Sequence, residues 1–142
     1  MISLFDVNFL IALVDGNHEH HEVATDFFKD CSGEGWATCP LTENGFLRIL
    51  GHPSYPSGPG SPAEARRLLV AYLSAPGHQF WPDEVSLTDR ELIQELPSPK
   101  ALTDTYLLAL ATKRGGRLIS FDKRIDTSLV LGGAGACFIL GG

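Results

Sequence analysis

Residues 2–14, with the sequence ISLFDVNFLIALV, decide the fold of this chain. Residues 2–5 have the length and apolar character of a buried β-strand, and the pattern of residues 8–14 predicts a helix directly after it. A short strand that runs at once into a helix is typical of α/β proteins with a mainly parallel sheet. Asp6 and Asn8 interrupt the apolar start and no basic segment precedes it, so we expect neither a signal peptide nor a membrane anchor.

The same alternation of strands and helices continues along the chain. Further strands are predicted at residues 36–39, 79–81, 117–121 and 137–140. Further helices are predicted at residues 19–30, 40–50, 62–74, 88–96 and 103–113. Ser61 and Thr103 are expected to cap the helices that follow them, and residues 52–62, rich in Pro, Gly and Ser, are expected to form a loop. Residues 1–142 are therefore predicted to form a single α/β domain.

Composition limits the classes of function. The chain has 142 residues, 44% of them hydrophobic, which is enough for one core without disulfide or metal staples. Cys31, Cys39 and Cys137 are too few and too far apart for a disulfide framework or a zinc site, and indicate reduced thiols in a cytoplasmic protein. A net charge of −6 argues against binding nucleic acid through a broadly basic surface. A cation held by acidic residues would reverse that charge locally.

Two aspartates directly follow apolar strands. Asp6 comes after Ile-Ser-Leu-Phe, and Asp122 comes after Leu-Ile-Ser-Phe. Ligand sites of open parallel sheets lie beyond the carboxyl ends of the strands. We therefore expect the two carboxylates to lie at the same edge of the sheet.

Two further acids are predicted to face inward from the first turns of their helices. Apolar residues follow Glu43 at positions 46, 47 and 50, and follow Asp104 at positions 107, 108 and 111. Taken singly, each acid is explained equally well as a partner of its helix dipole. Four converging carboxylates, however, repel one another unless they take up protons or a cation. An oxygen-only set suits Mg²⁺ or Mn²⁺, which can activate water for phosphodiester hydrolysis.

Four segments, in this order, resemble the PIN-domain family and specifically the VapC toxins of VapBC toxin–antitoxin pairs. They are residues 4–13 (LFDVNFLIAL), 43–48 (ENGFLR), 103–111 (TDTYLLALA) and 120–122 (SFD). The resemblance implies a three-layer α/β/α fold, a homodimer, an Mg²⁺- or Mn²⁺-dependent endoribonuclease, an RNA substrate and inhibition by a cognate VapB antitoxin. It also implies that Asp6, Glu43, Asp104 and, more variably, Asp122 bind the metal or the attacking water.

Polar and basic residues beside these acids are candidates for supporting roles. The resemblance places Asn8 and Thr103 where they would hydrogen-bond ligand carboxylates, although helix capping explains Thr103 equally well. Arg48 is a candidate contact for an RNA phosphate or the antitoxin, with a solvated surface arginine as the alternative. Lys123 and Arg124 directly follow Asp122 and are expected to attract the phosphate backbone.

Histidines and aromatic residues supply further candidates. His18, His20 and His21 lack the i, i+4 pairing of a zinc-binding helix, so we interpret them as packing and capping residues at a helix start. Tyr55, in the predicted loop, is a candidate for stacking on an unpaired base. Phe80 and Trp81 are also candidates for stacking, but a core strand is the favoured interpretation for both.

Two other classes of function remain open. A PIN-like scaffold that binds RNA or a partner protein without cleavage would carry a similar pattern. Receiver-type phosphotransfer domains and haloacid-dehalogenase phosphatases also place aspartates at strand ends, but they need a nucleophilic aspartate with a lysine poised for the phosphate. No Asp-x-Asp pair follows the first strand here, which makes that class the weaker alternative.

Overall fold

A computed structural model describes residues 1–141 of the chain. The strands are β1 (Ser3–Phe5), β2 (Trp36–Thr38), β3 (His78–Phe80), β4 (Arg117–Ser120) and β5 (Cys137–Ile139). The helices are α1 (Val7–Val14), α2 (His21–Cys31), α3 (Pro40–Leu50), α4 (Pro62–Leu73) and α5 (Leu102–Lys113). All five strands pair in parallel in the order β3-β2-β1-β4-β5. These elements agree with the predicted ones within a few residues at their ends, the usual scatter of helix and strand boundaries.

The sheet lies between two layers of helices. Successive residues of a strand point to opposite faces, so each central strand contributes to both cores. Leu4 and Leu118 belong to the core under α5, whereas Phe5 and Ile119 belong to the core shared with α1, α2, α3 and α4. The predicted three-layer α/β/α architecture with a parallel sheet is confirmed.

Helix α5 is buried on almost every side. The seven consecutive residues from Thr105 to Ala111 are all buried. The sheet covers one side of the helix, and the 3₁₀ segment Gly133–Ala136 covers another. This packing holds the first turn of α5, which carries Asp104, against the carboxyl edge of the sheet.

The helix predicted over residues 88–96 is wrong, because this segment forms turns. The carboxylate of Asp89 accepts hydrogen bonds from the backbone N–H groups two and three residues further on, at 3.1 and 3.2 Å. An antiparallel bridge between Ile93 and Val130 then draws the chain toward residues 129–131. One turn closes with a helix-type hydrogen bond from the N–H of Ile93 to the carbonyl of Asp89, but the pairing with residues 129–131 then replaces a regular helix.

The two predicted N-caps have different outcomes. The hydroxyl of Ser61 accepts a hydrogen bond from the backbone three residues on, at 3.2 Å, and caps α4 as predicted. Thr103 is not the N-cap of α5, so that prediction is wrong. A 3₁₀ turn at Pro99–Ala101 runs directly into the helix, which therefore begins earlier in the sequence than predicted. Ala101 occupies the N-cap position, and Thr103 is exposed within the first turn.

The two aromatic residues predicted to lie in a core strand differ from each other in burial. Trp81 is 2% exposed, whereas Phe80 is 53% exposed because β3 is an edge strand. Tyr55 is half-buried, and its hydroxyl donates a hydrogen bond of 2.6 Å to Asp15 at the end of α1. The predicted loop at residues 52–62 is thus tied to the first helix.

Two expectations from composition can also be compared with the fold. Cys31, Cys39 and Cys137 are all free thiols, as predicted. Across residues 1–141, no helix combines the length and the apolar character needed to cross a membrane.

Candidate active site

Asp6 stands at the junction of β1 and α1 and is almost completely buried. Only 4% of the residue is exposed, and its Oδ1 accepts a hydrogen bond of 2.7 Å from the backbone N–H of Phe9, so Asp6 is the N-cap of α1. The pKa of Asp6 is raised to about 7, mainly because burial disfavours the charged form. The charges of Asp104 and Asp122 also raise the pKa, whereas hydrogen bonds from Ser120 and Phe9 oppose the shift. An ionised carboxylate in this position would be strongly stabilised by a bound cation.

Asp104 reaches the same region from the first turn of α5. It is partly buried, and the residues that follow it on the inward face, Leu107, Leu108 and Ala111, are all buried. Burial raises the pKa of Asp104, and the charge of Asp122 raises it further. The inward orientation predicted from the spacing is confirmed.

Asp122 follows β4 at the same edge of the sheet, but it has a cationic partner. The Nε and Nη2 atoms of Arg124 donate to the two carboxylate oxygens of Asp122 at 3.0 and 3.2 Å, and the backbone N–H of Arg124 donates to Oδ1 at 2.9 Å. These hydrogen bonds from Arg124 hold the pKa of Asp122 below its ordinary value. Asp6, Asp104 and Asp122 therefore form one electrostatic group, in which Asp122 is neutralised directly.

Glu43 is tied to the carboxyl end of β2 by a hydrogen bond. Its Oε2 accepts a hydrogen bond of 2.7 Å from the hydroxyl of Thr38, the last residue of β2. The same hydroxyl oxygen lies 2.8 Å from Nε2 of His78. Burial lowers the pKa of His78, and the charge of Glu43 opposes this shift. The charge interactions that shift the pKa values of the three aspartates come from other aspartates and from Arg124.

The carboxylates suit a hard cation by type, although they do not enclose one. Asp6 is buried and Asp104 partly buried, both have raised pKa values, and the candidate ligands offer oxygen atoms alone. Within residues 1–141, no group of three or more His, Cys, Asp or Glu residues is arranged to hold a metal ion. The residues present therefore fit Mg²⁺ or Mn²⁺ in chemistry, and ligation by Asp122 would require it to exchange Arg124 for the ion.

Two clefts flank Asp122, and Arg124 borders both of them. The larger cleft, of about 510 Å³, is lined by Asn8, His18, Glu19, His20, Phe121, Asp122, Lys123 and Arg124. The smaller cleft, of about 200 Å³, contains Asp104 together with Lys100. Lys123 and Arg124 thus lie beside the acids as the sequence suggested. Lys100 was not identified from the sequence, although it precedes Asp104 by four residues, about one helical turn.

The supporting residues suggested by the resemblance stay predictions. Asn8 and Thr103 are exposed, and in the part of the chain that the structure describes neither donates a hydrogen bond to a site carboxylate. Arg48 is exposed on α3. Thr38 and His78 were not identified from the sequence. The strand-end argument that selects Asp6 would also have selected Thr38, because Thr38 is a polar residue at the carboxyl end of β2.

The three neighbouring histidines have the packing roles predicted for them, but the predicted capping role is wrong, because His20 occupies the N-cap position of α2 without a side-chain capping hydrogen bond. His21 donates from Nδ1 to the carbonyl of Ala12 at 2.8 Å, and Nδ1 of His18 accepts the backbone N–H of His20 at 3.0 Å. The ring of His20 stacks on Phe121 with 4.5 Å between centroids. These contacts attach the start of α2 to α1 and to the end of β4.

Comparison with known proteins gives a consistent assignment. The model of the PIN domain family matches residues 3–127. Ribonuclease VapC44 of Mycobacterium tuberculosis is 43% identical over 134 residues, which cover 93% of this chain and 94% of that protein. Ribonuclease VapC39 of the same organism is 42% identical over 137 residues, covering 93% and 96%.

A solved structure shares the fold. The structure of VapBC2 from Rickettsia felis, bound to a DNA fragment from their promoter, aligns with a TM-score of 0.56 and 13% identity. The alignment covers 88% of this chain and 93% of the chain from that structure. This structure shows the same fold. The family model and the two relatives show that this chain belongs to the PIN domain family and, within it, to the VapC ribonucleases.

Proposed function

We propose that this chain is a metal-dependent endoribonuclease that hydrolyses RNA phosphodiester bonds as the toxin of a type II toxin–antitoxin system. One observation carries the proposal. A buried carboxylate, Asp6, with a pKa raised to about 7, lies beside Asp104 and Asp122 at the carboxyl edge of the sheet. It does so in a chain that is 43% identical to a ribonuclease over 93% of its length.

In this proposal Asp6 and Asp104 are the principal ligands of Mg²⁺ or Mn²⁺, and Glu43 and Asp122 complete the set. The bound ion would lower the pKa of a water ligand and polarise a phosphoryl oxygen. Asp6 is held rigidly, because its Oδ1 caps α1 through the N–H of Phe9. Asn8 and Thr103 would orient the ligand carboxylates as a second layer of hydrogen bonds.

RNA would approach along the two clefts beside Asp122. Because the chain carries a net charge of −6, attraction of the phosphate backbone has to be local. Lys123 and Arg124 line the larger cleft, and Lys100 lines the smaller one with Arg124. Arg48, exposed on α3, is a further contact for RNA or for the antitoxin.

We also propose that the chain binds a VapB-type antitoxin and forms a homodimer in the cytoplasm, with residues 1–142 acting as one PIN domain. The VapBC2 complex provides the analogy for the antitoxin. Helix α4 offers an apolar surface for such contacts, because Leu68 is 43% and Val70 51% exposed. Size measurements on the chain alone, and with the product of an adjacent small gene, test both assemblies.

Cleavage of RNA by the purified protein tests the enzymatic proposal. We expect cleavage with Mn²⁺ or Mg²⁺, and loss of cleavage in EDTA and in Asp6→Asn or Asp104→Asn. Asp30→Asn is the matched control, because Asp30 is an exposed aspartate near the end of α2. Activity that persists in EDTA, or in both site variants, would contradict the proposal.

A catalytically silent binding module is the second candidate. It is favoured by the fact that no metal-holding group of three or more ligands is arranged within residues 1–141. The same assay separates the two candidates, since a silent module would bind RNA or a partner, take up no Mn²⁺ and leave the RNA intact.

The toxin role has its own test. Induced expression of the chain should arrest bacterial growth, and coexpression of the adjacent antitoxin should restore it. Asp6→Asn should remove the arrest at equal soluble yield. Unchanged growth with abundant soluble wild-type protein would contradict the toxin role.

A further inference from the structure

Three side chains form a hydrogen-bonded chain that ends on Glu43. Nε2 of His78 lies 2.8 Å from Oγ1 of Thr38, and Oγ1 of Thr38 donates to Oε2 of Glu43 at 2.7 Å. His78 is 40 residues from Thr38 in the sequence, so the tertiary fold creates the contact. These hydrogen bonds link the edge strand β3 to the first turn of α3.

The directions of these hydrogen bonds follow from the chemistry of the groups. An ionised carboxylate can only accept, and a threonine hydroxyl has a single proton to donate. The hydroxyl of Thr38 gives its proton to Glu43, so its oxygen must accept from His78. The ring of His78 therefore carries a proton on Nε2.

The surroundings hold the chain of hydrogen bonds in place. Thr38 is completely buried, and β3 pairs with β2 in a register that sets His78 opposite Trp36. The rings of His78 and Trp36 lie 4.7 Å apart between centroids. Parallel pairing on one side and ring packing on the other leave the imidazole little freedom.

We propose that His78 is a positioning residue for Glu43, which it orients by donating from Nε2 to the hydroxyl of Thr38. Thr38 then fixes one oxygen of the Glu43 carboxylate, Oε2, and so restricts the orientation of the whole carboxylate. The inference rests on the proposed function, because orientation of Glu43 matters for activity only if Glu43 serves the metal site. It assigns to a histidine and a threonine a role that is exerted through the carboxylate of Glu43.

Paired substitutions test the proposal. His78→Gln keeps an N–H donor close to the position of Nε2, whereas His78→Leu removes it. Thr38→Ser keeps the hydroxyl, whereas Thr38→Val removes it with little change of shape. We expect His78→Leu and Thr38→Val to weaken binding of Mn²⁺ alone and to lower kcat for RNA cleavage, each by about 10- to 100-fold. His78→Gln and Thr38→Ser should stay within a few-fold of the wild type.

Two controls separate positioning from general damage. His52→Leu removes an exposed histidine from the loop after α3 and should change neither measurement. In a Glu43→Gln background, His78→Leu should add almost no further loss, because both substitutions act on the same carboxylate. Additive losses would contradict the proposed route through Glu43.

A measurement on the unsubstituted protein tests the same point without any risk of misfolding. Nitrogen-15 NMR of the imidazole at pH 8 should show the proton of His78 on Nε2, and a proton on Nδ1 alone would overturn the proposal. If His78→Leu fails to fold, the two Thr38 variants and the tautomer decide the question. Equal activity of the Leu and Gln variants in an active protein would contradict this inference alone. Wild-type protein that neither binds Mn²⁺ nor cleaves RNA would contradict the proposed function and the inference with it.

Discussion

The carboxyl ends of β1 and β4 carry the same residue after nearly the same sequence, yet the two aspartates differ in ionisation. β1 and β4 are neighbours that pair in register through Phe5 and Ile119. Asp6 is 4% exposed and its pKa is raised to about 7, mainly by burial. The side chain of Asp122 is 24% exposed, and hydrogen bonds from Arg124 lower its pKa.

The difference comes from the element that follows each strand. After β1 the chain enters α1 at once, and Asp6 is buried as the cap of that helix. After β4 the chain enters a turn, which brings the exposed side chain of Arg124 against Asp122 and leaves Asp122 only partly buried. A bound cation would therefore stabilise Asp6 more than Asp122, which already has a counterion. We expect Asp6 to dominate metal binding and Asp122 to assist it.

The substitution Asp6→Asn should have the largest effect of all, and this effect is on catalysis. Asparagine is also a good N-cap, so α1 should stay capped while the charge that binds the metal is lost. The cleavage rate at saturating Mn²⁺ should fall by about 10³-fold, which corresponds to the several kcal/mol that a metal ion contributes to transition-state stabilisation. Single-turnover cleavage measures the effect. A loss smaller than about tenfold would remove Asp6 from the centre of the site.

The same substitution should stabilise the metal-free protein. The pKa of Asp6 is raised to about 7 from 3.8, so between these values the native state binds a proton that the unfolded state has lost. Stability should therefore fall as pH rises from about 4 to 7, and at pH 8 the penalty is at most on the order of 4 kcal/mol. Asp6→Asn removes this dependence. Denaturant unfolding in EDTA at pH 5 and pH 8 tests it, and equal wild-type stability at both values would count against a buried, ionisable Asp6.

Addition of Mn²⁺ should raise the melting temperature of the wild type more at pH 8 than at pH 5. Binding the ion requires an ionised carboxylate, so at low pH the metal must first displace the proton from Asp6. At 100 times the dissociation constant the stabilisation should be about 2.7 kcal/mol. Asp122→Asn should retain most of the shift in Tm, whereas Asp6→Asn should lose it. Equal losses in both variants would erase the distinction between the two strand ends.

Asp122→Asn should have a smaller effect on cleavage, a loss of about 10- to 100-fold. Its effect on metal-free stability should lie below about 1 kcal/mol, because the side chain of Arg124 in the ion pair that it breaks is 88% exposed. Activity and unfolding are measured as for Asp6→Asn. A loss as large as that of Asp6→Asn would show that the ion pair with Arg124 does not weaken the role of Asp122.

The smallest expected effect is that of Arg124→Ala. Without the guanidinium, the pKa of Asp122 should rise toward its ordinary value, and Mn²⁺ should bind at least as tightly as in the wild type. RNA affinity should fall by a few-fold, and the slope of log K against log salt should decrease by about 0.7, the loss of one phosphate contact on a single strand. Lys123→Ala provides a neighbouring cation for comparison. Unchanged RNA affinity would show that Arg124 interacts with Asp122 and makes no contact with RNA.

The sequence predicts those parts of the fold and site that depend on near neighbours. The apolar run in α5 and the strand-end positions of Asp6 and Asp122 are local patterns. Two features that were predicted wrongly or not identified from the sequence depend on distant partners. Residues 88–96 form turns partly because they pair with residues 129–131, and Thr38 meets His78 across 40 positions. Local propensity carries no information about either contact.

The contrast between the two strand ends was also beyond the sequence. Both aspartates follow an apolar strand, and they are distinguished by burial and by the hydrogen bonds from Arg124 to Asp122. Arg124 stands two residues from Asp122, so its proximity could be expected, but its two side-chain hydrogen bonds to the carboxylate depend on the shape of the turn after β4. Lys100 joins the site because a 3₁₀ turn leads into α5.

Location of the metal ion is the most direct test of the central claim, that the strand-end acids form one metal site. Crystals grown with Mn²⁺ and measured at the manganese absorption edge should show an anomalous peak in contact with Asp6 and Asp104. The guanidinium of Arg124 should be displaced wherever Asp122 joins the ion. A peak elsewhere, such as beside His18 and His20, or no peak at saturating Mn²⁺, would contradict the account.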